Sequence, residues 1–252
     1  MLALHDRGSV HSLRHMPSWL MLSMAAGAVN AGGFFACERF VSHVTGNAMQ
    51  LSLETGTTLL RDSALLLLAF IAGAMSSAIA IERRYLRQQR PLYALPLVIV
   101  AGLLIAVAIA GQAGVFGPFG GGTTDEPTTM VLLALLGFAM GLQNAAVATS
   151  TGLAVRSTHL TGPATDFGVQ LATAFFAVGS ARRDALQAAA LRAGKIAAFV
   201  VGAALMVPLA SKMQFLSFLG PAALVVTATL LSFLPAPPEE PEPTGARLAP
   251  SS

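Results

Sequence analysis

Charged residues are scarce in this sequence of 252 residues. Asp, Glu, Lys and Arg make up 11% of it, whereas a soluble globular domain usually carries about 25%. Hydrophobic residues make up 54%, and the mean hydropathy is +0.68. An ordinary water-soluble enzyme is therefore not expected.

Cysteine and the common catalytic motifs are also missing. The single cysteine, Cys37, cannot form an internal disulfide or a cluster of thiolate metal ligands. The sequence has no His-Glu-x-x-His zinc motif, no Gly-x-Ser-x-Gly elbow and no Walker phosphate loop. We expect no enzymatic activity, no metal and no cofactor, although these absences leave open an intramembrane enzyme that acts on a lipid headgroup.

Long apolar runs separate the few charges. The sequence pI of 9.6 could suggest nucleic-acid binding, but the basic residues flank apolar stretches, as in proteins that orient themselves in a bilayer. About 20 apolar residues suffice for a helix to cross the hydrocarbon core. Six stretches meet this requirement: roughly 17–37, 63–81, 92–111, 130–150, 194–211 and 215–234.

An internal repeat organises these stretches. A His-x-Thr-Gly box at 43–46 recurs at 159–162, an offset of 116 residues, and the Gly-Ala-Val-Asn segment at 27–30 resembles Gly-Leu-Gln-Asn at 141–144. Each box is followed by a shorter, ambiguous segment with polar residues, at 47–60 and 163–179. The sequence therefore indicates an internal duplication.

The two ambiguous segments decide the topology. If they do not cross, each repeat has three spans and the second copy is inverted; if they cross, each has four and both share one orientation. Six spans with cytoplasmic termini place twelve of the 15 Lys and Arg residues inside, whereas eight spans divide them eight to seven. The positive-inside rule thus favours six spans.

The predicted fold class is therefore an all-α polytopic membrane protein. Its six transmembrane helices form two inverted three-helix repeats, each with a partial or re-entrant helix after the box. The predicted organisation is a cytoplasmic N-terminal segment at 1–15, repeat one at 16–111, an extracytoplasmic Gly-rich loop at 112–129, repeat two at 130–234 and a disordered Pro/Glu-rich tail at 235–252.

The boxes also carry a resemblance. An early Ala-Gly-x-x-Asn span, the segment Phe-Val-Ser-His-Val-Thr-Gly-Asn at 40–47 and the second box at 159–162 resemble the YoaK-like bacterial inner-membrane proteins, a family of unknown function. The resemblance covers roughly residues 16–234 and implies a multi-pass protein of the bacterial inner membrane. The second copy has Pro163 where the first has Asn47, so a role for the Asn side chain cannot be symmetric.

The boxes predict helix N-termini within the bilayer. A Thr hydroxyl can cap free N–H groups, and proline suits the first turn. Such ends attract anionic groups, and broken helices in inverted repeats are a known transporter plan. Helix capping alone would also explain the threonines, and hydrogen bonds to the backbone would explain the histidines.

Ionisable and amide side chains near the boxes complete the predicted site. Glu54 and Asp166 carry charge at predicted membrane depth, which is costly and usually marks function, although they could equally form the wet face of an interfacial helix. Amides such as Gln143 could serve only as interhelical hydrogen-bonding groups, and glycines at four-residue spacing, such as Gly137 with Gly141, permit close helix approach. The predicted substrate-binding residues are Asn30, His43, Thr45, Gly46, Asn47, Glu54, Asn144, His159, Thr161, Gly162, Asp166 and Gln170.

The favoured function is secondary transport or channel-like passage of a small solute or ion between the two repeats. The alternative is a binding or assembly protein that transports nothing. Membrane lipids, a small molecule or ion, and a second copy of the chain are the partners that the sequence allows, and nucleic acid is not expected.

Overall fold

The computed structural model describes residue 4 and residues 15–53, 57–89, 91–121, 127–153 and 155–233. Within these residues all regular structure is helical. Glu54, most of the predicted N-terminal segment and the predicted tail at 235–252 lie outside the described residues. The helices are α1 (Met16–Cys37), α2 (Val44–Leu53), α3 (Thr57–Leu86), α4 (Ala94–Gln112), α5 (Pro127–Ser150), α6 (Thr161–Phe176), α7 (Gly179–Met213), a 3-10 helix (Gln214–Phe218) and α8 (Leu219–Ser232).

Five helical runs are long and apolar enough to cross a membrane by length and composition. They are Met16–Cys37, Leu60–Leu86, Ala94–Gln112, Pro127–Ser150 and Gly179–Ser232. The last run is continuous in secondary structure but includes the 3-10 helix, where Gln214 has a φ of 49°. The chain is thus a membrane protein with several apolar helices.

The chain reverses direction at the 3-10 helix. Helix α7 runs parallel to α1, because Gly194 lies beside Leu20 and Met206 beside Gly32. Helix α8 runs the opposite way, since the hydroxyl of Ser232, its last residue, lies 2.6 Å from that of Ser18 near the start of α1. The 54-residue run therefore contains two antiparallel segments.

The two halves pack by exchange. The first long helix of each half lies against the third helix of the other half, so that α1 packs on α7 and α5 packs on α3. Both crossings are made by glycine against backbone. A Cβ on Gly27 would lie 2.0 Å from the Phe199 carbonyl oxygen, and a Cβ on Gly141 would lie 2.0 Å from that of Phe70. The prediction that Gly141 permits close helix approach is confirmed.

Each short helix begins beside a long helix rather than beyond its end. The Ser42 N–H donates to the side chain of Asn30, which lies about 10 Å before the end of α1 at 1.5 Å per residue. Arg39 then contacts Asp62 near the start of α3, with Nε and Oδ2 3.3 Å apart. The chain leaves α1, turns back along it, forms α2 and starts α3 near the end of α1 that it left.

Helix α7 is longer than the predicted span. The sequence predicts a span over 194–211, but the helix begins at Gly179. The additional turns contain Arg182, Arg183 and Asp184, which lower the hydropathy without opposing helix formation. At 1.5 Å per residue its 35 residues extend about 52 Å, beyond a hydrocarbon core of about 30 Å.

Candidate functional site

The two His-x-Thr-Gly boxes face one cavity. Its volume is about 560 Å³, within the range of about 300–1,000 Å³ that is usual for sites of small molecules. Its walls come from both halves of the chain. The lining residues are Asn30, Phe40, Ser42, His43, Val44, Thr45, Phe70, Asn144, Arg156, Thr158, His159, Leu160, Thr161 and Phe199.

The lining consists of seven matched pairs. Residues 40 and 42–45 correspond to residues 156 and 158–161 at the offset of 116, and both sets line the cavity. Asn30 pairs with Asn144, and Phe70 with Phe199. The cavity therefore lies where the two repeats meet, and each repeat supplies the same seven positions.

Asparagine side chains hold both boxes in place. Asn30 Oδ1 accepts hydrogen bonds from the Ser42 N–H at 3.0 Å and from the Ser42 hydroxyl at 3.2 Å. Asn144 Oδ1 accepts one from the Thr158 N–H at 3.3 Å. A backbone N–H away from water needs an acceptor, so each asparagine stabilises the irregular segment that precedes a short helix.

Each box histidine lies over its own glycine. In the second box, the Gly162 N–H donates to His159 Nε2 at 3.0 Å. In the first box, a Cβ on Gly46 would lie 2.8 Å from His43 Nδ1, which matches 2.7 Å from a Cβ on Gly162 to His159 Nε2. Glycine leaves the room that the ring occupies.

The expected threonine cap is wrong for the second box. The residue before α6 is Leu160, and it makes no side-chain capping bond. Thr161 is the first residue of the helix and lines the cavity instead. The imidazole of His159 takes the place of the hydroxyl, because it reaches the N–H of the second helical residue.

Arg156 dominates the charge of the cavity. Arg156, an exposed residue, is the one Lys or Arg among the described lining residues, and none of these residues is Asp or Glu. Beneath it, the ammonium of Lys195 donates to the Arg156 carbonyl oxygen, and Lys195 is only 4% exposed. Lys195 is not among the lining residues, so Arg156 is the arginine that the second repeat contributes to the lining, and Lys195 is hydrogen-bonded to its carbonyl group.

The structure brings together six of the predicted site residues. Asn30, Asn144 and the histidine and threonine of each box line the cavity, and the glycine of each box lies under the histidine ring. Asn47 is buried in α2 and is not among the lining residues. These placements leave the proposed binding role of the residues a prediction.

Asp166 and Gln170 do not join this group. The Asp166 side chain is 56% exposed, and its Oδ2 accepts from Arg192 Nε on α7 at 3.2 Å. Gln170 lies apart and lines, together with Asp184, a separate depression between α6 and α7. Within the described part of the chain, no group of three His, Cys, Asp or Glu side chains is arranged to hold a metal ion.

Gln143 has a structural partner. Its Nε2 donates to the Leu22 carbonyl oxygen on α1 at 2.9 Å, and the side chain is fully buried. The interpretation of this amide as an interhelical hydrogen-bonding group is confirmed.

Sequence reasoning missed several lining residues. Ser42 and Thr158 occupy equivalent places and carry the same hydroxyl, so the offset of 116 could have revealed them. Phe70 and Phe199 follow a different offset, because the segments between box and third helix differ in length. Arg156 was counted only among the basic residues on the cytoplasmic side, although the offset of 116 makes it the equivalent of Phe40.

The profile of the family described as "Protein of unknown function (DUF1275)" matches residues 18–231. The chain belongs to the DUF1275 family. The matched region runs from α1 to α8 and includes every residue that lines the cavity. Membership of an uncharacterised family is thus confirmed, and the narrower YoaK-like assignment stays a prediction. No curated protein and no solved structure matches the chain.

Proposed function

We propose that this DUF1275 protein passes a small solute or ion across the bacterial inner membrane, as a secondary transporter or a channel. The solute would move through the cavity between the two repeats. The observation that carries this proposal is the convergence of both His-x-Thr-Gly boxes, one from each half of the chain, on a single cavity of about 560 Å³.

The proposed topology has six spans in two inverted three-helix repeats, with both termini in the cytoplasm. The parallel pairs α1 with α7 and α3 with α5, together with the antiparallel α8, support it. The six helices that cross the membrane in alternating directions are then α1, α3, α4, α5, α7 and α8. The segments that contain α2 and α6 enter the membrane and return to the same side. A repeat with three crossings must insert its second copy upside down, so this arrangement matches the exchange packing.

The short helices support a pathway through the cavity. Non-helical backbone at membrane depth is tolerated where it lies within protein or lines a water-filled space. Transporters with inverted repeats commonly place the ends of broken helices at a central site. In this chain the segments before α2 and α6 are held by Asn30 and Asn144 and face the cavity.

Osmotic swelling tests the proposal without knowledge of the solute. Purified protein is reconstituted in liposomes, and light scattering follows the response to gradients of glycerol, urea, potassium acetate and potassium nitrate, with valinomycin for the salts. We expect faster swelling than in empty liposomes for at least one solute.

A blocking experiment ties that flux to the cavity. Val44→Cys and Gly102→Cys are each made in a Cys37→Ser background and treated with a bulky thiol reagent. Val44 lines the cavity, whereas a side chain at Gly102 would meet nothing within 4 Å. The reagent should stop flux in the first variant only. Folded protein that passes none of the solutes would contradict transport and favour the binding or assembly role.

A further inference from the structure

The charge of the cavity lining is not symmetric, although the lining positions of the two repeats match. Six of the seven matched pairs join residues of similar kind, such as Ser42 with Thr158 and Val44 with Leu160. The seventh pair joins Phe40 with Arg156. A duplicated unit has therefore gained or lost a cation at one position of an otherwise matched lining.

We propose that the cavity takes a small anion and that Arg156 is the residue that determines this specificity. The proposal rests on the proposed function, because it names the class of solute at the same site. A monocarboxylate or an inorganic oxyanion such as nitrate fits the available volume together with several water molecules, each of which occupies about 30 Å³ in the liquid.

Arg156 suits an anion because its guanidinium has no ion-pair partner among the described residues. The structure pairs Asp166 with Arg192 and Asp62 with Arg39, so these two carboxylates near the boxes are engaged with other arginines. A guanidinium presents five donors in a fixed fork that matches planar oxyanions. The charge is therefore available to a ligand.

The surroundings of Arg156 add positive potential and fix its backbone. Lys195, which is buried, donates to the Arg156 carbonyl oxygen. The equivalent residue of the first repeat is Leu66, also buried, at the offset of 129 that relates Phe70 to Phe199. The second repeat thus has a lining arginine and a buried lysine where the first has Phe40 and Leu66, both apolar.

The two short helices contribute in the same direction. Val44, Thr45 and Thr161, at the starts of α2 and α6, line the cavity. The N-terminal end of a helix carries partial positive charge. Phe70 and Phe199 add apolar residues to the lining, and an apolar surrounding lowers the local dielectric and strengthens the attraction of an anion to the guanidinium.

The test compares wild type with Arg156→Gln and Arg156→Lys in the liposomes described above. Potassium nitrate, potassium formate and potassium acetate with valinomycin are the anion probes, glycerol and urea the neutral probes, and choline chloride the cation probe. We expect wild type to pass anions at least tenfold faster than neutral solutes. Arg156→Gln should lose at least nine-tenths of the anion flux, and Arg156→Lys should keep more of it.

Arg183→Gln is the matched control, because Arg183 is an exposed cation on α7 that does not line the cavity. It should keep the wild-type flux and selectivity. Phe40→Arg provides the converse test, since it places a second cation at the equivalent position. This variant should raise the ratio of anion to neutral flux.

A binding measurement separates failure of this inference from failure of transport. Thermal unfolding in detergent is followed while nitrate or acetate is added to wild type and to Arg156→Gln. Stabilisation by the anion in wild type alone, without flux of any solute, would support the anion site and refute transport. The anion site would be overturned, and transport retained, if glycerol or choline passed as fast as the anions and if the flux were unchanged in Arg156→Gln. Absence of both flux and anion stabilisation would overturn both.

Discussion

Two glycines set the distance between the exchanged helices. Gly27 on α1 faces the Phe199 carbonyl of α7, and Gly141 on α5 faces the Phe70 carbonyl of α3. A Cβ at either position would lie 2.0 Å from that oxygen, compared with 3.4–4 Å for an ordinary contact. Because the atom it meets is backbone, the helices must separate by more than 1 Å to admit an alanine.

The cost of that separation can be approximated. Overpacking of a close-packed interior costs about 1–3 kcal/mol, and alanine regains about 0.5–1 kcal/mol over glycine within a helix. Because backbone yields less than a side chain, we take a net loss of about 2 kcal/mol. For a chain of this size, each 1 kcal/mol lowers Tm by about 2–4 °C, so Gly27→Ala and Gly141→Ala should each lower Tm by about 4–8 °C.

Thermal unfolding of the purified protein in detergent measures the effect. Gly102→Ala is the control, because a Cβ there meets nothing within 4 Å, and its Tm should stay equal or rise. The two interface variants should lose similar stability, since the two crossings are equivalent. A Tm for Gly141→Ala equal to that of Gly102→Ala would refute the close crossing, and a loss confined to one variant would refute the equivalence of the repeats.

Two further predictions concern topology and the buried ion pair. Single cysteines at Gln89 and Gly121, in a Cys37→Ser background, should react with an impermeant thiol reagent from opposite sides of the membrane, because α4 separates them; labelling of both from one side would contradict six spans. Asp62 is fully buried and contacts Arg39, so Asp62→Asn should leave that guanidinium without its countercharge. We expect a loss of about 1–3 kcal/mol, less than for a fully buried pair because Arg39 is partly exposed, and an unchanged Tm would show that the pair contributes nothing.

The sequence was sufficient for the all-helical class and for the positions of most apolar helices. Hydropathy depends on composition alone, so runs such as 92–111 and 130–150 correspond closely to α4 and α5. It was less informative for α7, whose first turns hold three charged residues and still continue the helix. Helix formation depends on backbone hydrogen bonding and propensity, which charge does not interrupt.

The repeat offset was the most informative signal for the site. Matching His43 with His159 placed both boxes at equivalent positions, and the structure brings both to one cavity. The charge of Asp166 favoured a place in the predicted site. In the structure Asp166 does not line the cavity and instead pairs with Arg192 on the neighbouring helix. A partner that is 26 residues away in the chain and contacts it only after folding has no signature in local sequence.

The most direct test of the account is whether the two boxes lie across one cavity from each other. Thr45→Cys and Thr161→Cys are combined in a Cys37→Ser background, with a protease site inserted after Gly121. A sphere of the cavity's volume is about 10 Å across, so a bifunctional thiol reagent of about that length should join the two cysteines. The account predicts that the two halves then stay linked after protease cleavage, whereas the halves of a Gly102→Cys, Thr161→Cys control separate. Separation of the halves in both variants would contradict it.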